Sequence, residues 1–456
     1  MSIAIPQPTT GIKASSKVTV ALIILNIIAY AITTLDNGFI EISDKWLYQG
    51  AFIPVLLPNL REWYRIFLSM FLHANLFHIF FNMLYLYNFG RSVESVVGSK
   101  RYLLLYILSG IVAEIFHTAF IPLEGPLSAI TPAIGASGAI SGVLGAYLLL
   151  FPGSRITMYF FYFYFPIAFT WRAAAYLIFW FITQIFQGYM GGSLGVAVFA
   201  HAGGFIGGLA LLPYVMDKSR HRIVRMLTAS RRYLYYVYFG RRGLGAFSKL
   251  ILTLAILSVI LGSAYSAYTA KGMITNIRVL EFRVYYKLYS RDGLLYDTGF
   301  DEEPVIIKLN KGYASLAMPI SSSGVRIVFN RLNALGLLHK EGIFSKEVIL
   351  NGSYKVQIKG YKLNVALKLR ASYEKAGFLT YAKGNMRTEV LSCLGSRCII
   401  WGEGDYDFEI RTIYGSGKES ERLKNVIMML ALSSLIFSLL ALSNILKRAE
   451  ELAIVI

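Results

Sequence analysis

A chain of 456 residues and 51.0 kDa has room for two or three folding units. Hydrophobic residues make up 55% and charged residues 16%, and the mean hydropathy is +0.53. A soluble domain carries about 25% charged residues, so lipid is the solvent this composition requires; disorder, collagen-like repeats and a disulfide-dense secreted scaffold are excluded. The net charge of +19 lies largely beside apolar runs. Basic residues there mark the cytoplasmic side of a membrane rather than a nucleic-acid surface.

Residues 1–16 lack the apolar core of a signal peptide and read as a cytoplasmic tail. Lys13 and Lys17 then precede the first apolar run, Val18 to Leu35. Further runs cover Leu76 to Phe89, Tyr102 to Ile121, Ala136 to Phe151, Ala173 to Gln187 and Val196 to Tyr214. Together they predict a six-helix core over 17–216, followed by a basic cytoplasmic linker over 217–249. A seventh span is predicted over 250–268 and an eighth over 424–446, with a cytoplasmic tail at 447–456. Arg91, Lys100, Arg101, Arg155 and Arg172 fall in the loops assigned inside, while 121–131 and 188–195 contain no Lys or Arg. Both termini are therefore placed in the cytoplasm, and the plasma membrane is the expected location. The segment Ile156 to Trp171 could be another span; its shortness, Pro166 and bracketing arginines favour an interfacial reading.

Between the last two spans the pattern changes. Residues 354–358 and 363–369 alternate apolar and polar side chains around Gly360, and 305–309, 398–401 and 408–414 look similar. Residues 270–423 are expected to form an extracytoplasmic β-sandwich-like domain. The expected fold is thus an all-α polytopic membrane protein with an inserted β-rich domain. Cys393 and Cys398, the only cysteines, bracket a four-residue loop. A disulfide follows if that loop closes a hairpin outside the cell; a zinc half-site or two free thiols are the alternatives.

Polar side chains inside spans are costly and mark functional candidates. Spans two, four and six run in the same direction, and each carries such a group in its first turns. Span two has His78 and Asn82, four apart on one helical face; span four has Ser137; span six has His201. Gly135, Gly138 and Gly142 with Gly204 and Gly208 read as helix-packing positions that let spans four and six approach closely. A serine hydroxyl needs a base within about 3 Å, and histidine supplies one near neutral pH. His78, Asn82 and the backbone N–H of Ser137 could then stabilise an oxyanion.

These residues meet a known pattern. His73, His78 and Asn82 in HANLFHIFFNM, Gly135-Ala136-Ser137-Gly138, and Ala200-His201 followed by Gly204 and Gly208 resemble the rhomboid family of intramembrane serine proteases. Trp63-Tyr64-Arg65 resembles the family's Trp-Arg element with one residue inserted, and the resemblance covers about Val18 to Tyr214. It implies a Ser137–His201 dyad, no metal and no cofactor, oxyanion contributions from His78 and Asn82, and single-pass transmembrane proteins as substrates, cleaved near the outer membrane face. Many relatives carry an aromatic residue four positions after the serine; here it is Ser141. The alternative is a rhomboid-like pseudoenzyme that binds transmembrane helices for quality control or trafficking. Partners are expected to be membrane lipid, met by the basic linker, and a protein bound by the external domain, with no nucleic acid.

Overall fold

The structure, a computed structural model, describes residues 2–6, 16–162, 165–190, 197–231, 243–272, 277–290, 292–310, 313–316, 320, 322–339, 347–358, 361–374, 377–394, 397–414 and 417–454. It divides into two units, Met1–Met273 with Lys424–Ile456, and Ile274–Leu423.

The first unit is helical. Helix α1 is Lys17–Thr34; α2, Leu76–Tyr85, runs on through a π-helical turn, Leu86–Gly90, into α3, Arg91–Val97. Then come α4 (Ser99–Ala119), α5 (Ser137–Leu150), α6 (Ala173–Tyr189), α7 (Val198–Val215), α8 (Lys218–Arg231) and α9 (Ala246–Thr269). Ile24, Leu25, Ile28 and Ile32 of α1 stay half exposed, as side chains facing lipid do. Among the described residues, five helices are long and apolar enough to cross a membrane: Lys17–Asn37, Ser99–Ala119, Val198–Val215, Ala246–Thr269 and Glu421–Lys447. The chain is a polytopic membrane protein.

Small residues set the centre of this unit. A Cβ on Gly204 would collide with the Gly138 carbonyl, one on Gly208 with the Gly142 carbonyl, and one on Gly145 with that of Phe205. Helices α5 and α7 are therefore in backbone contact, as small-residue faces permit where no hydrophobic effect drives association. At the start of α1 the buried carboxylate of Glu94 accepts from Val18 N at 3.0 Å, Thr19 N at 2.9 Å and Ser99 Oγ at 2.7 Å. It satisfies orphan amides at the helix N-terminus and favours its positive end.

The segment between α5 and α6 is a β-hairpin, β2 (Arg155–Tyr162) and β3 (Phe165–Arg172), with Ile156 opposite Trp171. Strand β1, Ser2–Pro6, adds to its edge, Ser2 opposite Phe160. Residues 155–162 and 165–172 are extended and paired in this sheet, so the alternative of a helical span at Ile156 to Trp171 does not hold for them.

The second unit contains one seven-stranded antiparallel sheet, in spatial order β6-β5-β4-β10-β9-β8-β7. Its strands are β4 (Ile277–Ser290), β5 (Leu295–Asn310), β6 (Tyr313–Leu316), β7 (Glu347–Ile358), β8 (Tyr361–Tyr373), β9 (Leu379–Leu394) and β10 (Arg397–Tyr414). Helix α10, Ser323–Ala334, covers the inner face: Val325, Val328, Phe329 and Leu332 share a core with Leu363, Val365, Leu367 and Leu369 of β8. The expected sandwich-like packing is corrected to a half-barrel, because a helix and not a second sheet buries that face. Cys393 stands opposite Cys398 across the β9–β10 hairpin, but their side chains lie outside the described residues, as do the Gly360 turn and linker residues 232–242.

Helix α11, Gly417–Lys447, and the short α12, Ala449–Leu452, return to the first unit. Asn444 Nδ2 donates to the Leu209 and Ala210 carbonyls at 3.0 and 2.9 Å, and Ser434 Oγ meets Ser263 Oγ at 2.8 Å. The Ile454 amide donates to the Leu150 carbonyl at 2.8 Å. These bonds build the last two apolar helices into the core.

Candidate active site

Ser137 is the first residue of α5, and the preceding turn presents it. Gly135 has φ +116°, a conformation that costs a side-chain-bearing residue strain, and its amide donates to the Ser69 carbonyl at 2.9 Å. A Cβ there would lie 2.7 Å from His78 Nε2 and 3.5 Å from Asn82 Nδ2. Gly135 is thus a turn residue against the α2 side chains, and its expected place on a helix-packing face is corrected. Gly138, Gly142, Gly204 and Gly208 do lie where α5 and α7 touch.

The close approach brings Ser137 Oγ to 2.9 Å from His201 Nε2. On the other side of the ring, Nδ1 lies 2.9 Å from Oε1 of Gln184 on α6. The acceptor at Nδ1 holds the proton there and leaves the Nε2 lone pair to accept from the serine hydroxyl. The Trp180 ring, one turn before Gln184, stands 6.3 Å from the imidazole. The Ser141 hydroxyl is directed to the backbone, donating to the Ser137 carbonyl at 2.7 Å. Ser137 and His201 both remain partly exposed, so water can reach them.

On the α2 side, Asn75 caps the helix by accepting from the His78 amide at 3.0 Å. The Ala74 amide points at His78 Nδ1 at 3.3 Å, so the neutral ring carries its proton on Nε2, the nitrogen facing the Gly135 turn. Asn82 is buried, and its Nδ2 has no hydrogen-bond partner among the described protein groups. Two side-chain donors therefore converge beside the N-terminus of α5, where backbone amides also point outward. His73 is fully buried, and its ring centre lies 5.0 Å from that of His78, against which it packs edge-on.

The loop before α2 is held by Arg65, whose guanidinium donates to Glu62 and to the Tyr48 and Ala51 carbonyls at 2.6 and 3.1 Å. Trp63 Nε1 donates to the Leu57 carbonyl at 3.0 Å. Among the described residues, no three His, Cys, Asp or Glu side chains group as metal ligands. Sequence reasoning missed Gln184, Trp180 and Glu94. The available signal was an amide inside an apolar helix, which lipid penalises unless it is bonded.

A hydroxyl and an imidazole in hydrogen-bond contact within a glycine-packed bundle of apolar helices define a polytopic membrane protein with a serine–histidine pair in its helical core. The comparisons with known proteins narrow the class. A Rhomboid domain matches residues 60–218. The chain is 30% identical over 171 residues to Rhomboid protein 1, mitochondrial, of Saccharomyces cerevisiae, covering 36% of this chain and 45% of that protein. It is 39% identical over 94 residues to Rhomboid protease GluP of Bacillus subtilis, covering 21% and 17%. It is 28% identical over 169 residues to Inactive rhomboid protein 1 of Homo sapiens, covering 36% and 17%. Residues 60–218 of the chain thus form a rhomboid domain. The matches span less than half the length of each of these relatives.

Proposed function

We propose that the chain is an intramembrane serine endopeptidase that cleaves single-pass transmembrane proteins near the outer membrane face. The observation that carries this reading is the 2.9 Å contact between Ser137 Oγ and His201 Nε2. His201 Nε2 takes the hydroxyl proton as Oγ bonds to the substrate carbonyl carbon. The carbonyl oxygen, now negative, accepts from the Ser137 amide, His78 Nε2–H and Asn82 Nδ2–H. The imidazolium then returns its proton to the leaving amine as the C–N bond breaks. Water, deprotonated by the same nitrogen, attacks the acyl carbon and releases the serine. The basic loops support both termini on the cytoplasmic side of the plasma membrane, with the dyad toward the opposite leaflet. The half-barrel is assigned a binding role toward substrate or partner protein.

Rhomboid relatives include proteins named inactive, so a non-catalytic helix-binding role is the competing reading. Purified full-length protein treated with a fluorescent fluorophosphonate separates the two. Wild type is expected to be labelled covalently and Ser137→Ala to remain dark; an unlabelled wild type with an intact melting transition would favour the non-catalytic reading.

Gln184 is a positioning residue in this scheme. Gln184→Leu is expected to lower kcat on the order of tenfold to a hundredfold, with KM little changed, because the base loses the partner that fixes its tautomer. Gln184→Glu retains an acceptor at the same reach and should recover most of the rate. Equal kcat for wild type and Gln184→Leu would remove the residue from the mechanism.

A further inference from the structure

Away from the dyad, a cavity of about 280 Å³ opens where the end of α7 meets α8 and the chain after α11. Its charged lining is Lys218, Arg222, Arg225, Arg448 and Glu451, four cations against one carboxylate. Some of the cations are held in place. Arg225 Nη1 donates to the Glu451 carbonyl at 3.0 Å, and the Arg448 guanidinium lies 5.5 Å from the centre of the Tyr214 ring. His221, also in the wall, is buried and lies 2.9 Å from the Leu452 carbonyl. Burial pushes its pKa below the usual imidazole range, partly offset by that carbonyl, so it adds shape rather than charge at neutral pH.

A second observation fixes the setting. On α8, Ile223, Met226 and Leu227 are 57%, 62% and 49% exposed, while Val224 and Thr228 turn inward. A helix that exposes an apolar stripe beside arginines lies in the headgroup–acyl boundary, with the stripe in the acyl region and its basic groups at phosphate depth. The cavity is then at the level where lipid phosphates sit, and guanidinium forks match phosphate oxygens.

We propose that this cavity binds the phosphate of an anionic phospholipid headgroup, gripped by Arg222, Arg225 and Arg448 with Lys218 at its rim. A bound lipid would bridge α8 to the chain after α11, joining groups at positions 218–225 and 448–452. The proposal does not depend on the dyad, and catalytically dead protein serves equally well in the test.

The experiment uses full-length protein in neutral detergent, with phosphatidylglycerol added, and native mass spectrometry to count retained lipid. Wild type is expected to hold one phosphatidylglycerol in preference to phosphatidylcholine. Each basic residue is worth about a factor of five, so Arg222→Ala/Arg448→Ala should weaken retention on the order of thirtyfold. Arg222→Ala alone, at an exposed side chain, covers the case in which the double variant does not fold, and should weaken it about fivefold. Lys100→Ala/Lys447→Ala removes equal charge at exposed positions outside the cavity and should leave retention unchanged. Equal loss in that control would overturn the proposal in favour of diffuse surface charge. Thermal stabilisation by inorganic phosphate matching that by the lipid, and lost in the Arg222 variants, would overturn the lipid assignment in favour of a soluble anion.

Discussion

Ser137→Ala and His201→Ala are each expected to abolish cleavage of a transmembrane substrate, lowering kcat on the order of 10⁴-fold or more. The two losses should not add. The hydroxyl and the imidazole form one unit across 2.9 Å, and the nucleophile without its base is as ineffective as the base without its nucleophile. The double variant should therefore sit at the same residual rate as either single one. Substrate affinity should change little, because neither group is needed to hold a helix in place. The measurement is single-turnover cleavage with a binding assay on the same preparations. A His201→Ala variant retaining a tenth or more of the wild-type rate would break the proposed chemistry, as would losses that multiply.

Gly208→Leu carries the largest expected effect on stability. Any Cβ at this position meets the Gly142 carbonyl, which belongs to a helix backbone and cannot rotate away. The helices must separate, at a cost of about 3 kcal/mol or more. The adjoining pair Gly138 and Gly204 lies one turn nearer the dyad, so separation also pulls Ser137 from His201. The variant is expected to lose its sharp melting transition and its fluorophosphonate labelling together. Leu261→Ala, 70% exposed on α9, should stay within about 0.5 kcal/mol of wild type as a lipid-facing control. A Gly208→Leu protein melting like wild type would contradict the backbone contact.

Much of the site was legible because lipid makes polar residues conspicuous. Ser137, His201, His78 and Asn82 stand in apolar runs, and their positions on alternate runs bring them to one region. Gln184 escaped notice because it lies on the intervening helix, where no parallel-span argument directs attention. The β-rich unit was legible as strands but not as an architecture. Alternation in residues 363–369 reports that one face is covered, and is silent on what covers it. The answer lay in Val325, Val328, Phe329 and Leu332, spaced i, i+3, i+4 and i+7, the stripe of a one-sided helix. The hairpin over 155–172 was hidden by near-uniform aromatic content, which gives no period to read. The seventh and eighth spans were legible as apolar runs; hydrogen bonds invisible to hydropathy tie them to each other through Ser434 and Ser263 and to α7 through Asn444.

The pairing of Ser2–Pro6 with residues 156–160 has a consequence for biogenesis. During synthesis this strand must wait, without its partner strand, while the four apolar runs between them are made, before residues 156–160 leave the ribosome. Closure of that small sheet is a late event, because pairing segments so far apart in the chain carries the loop-closure entropy that slows non-local contacts.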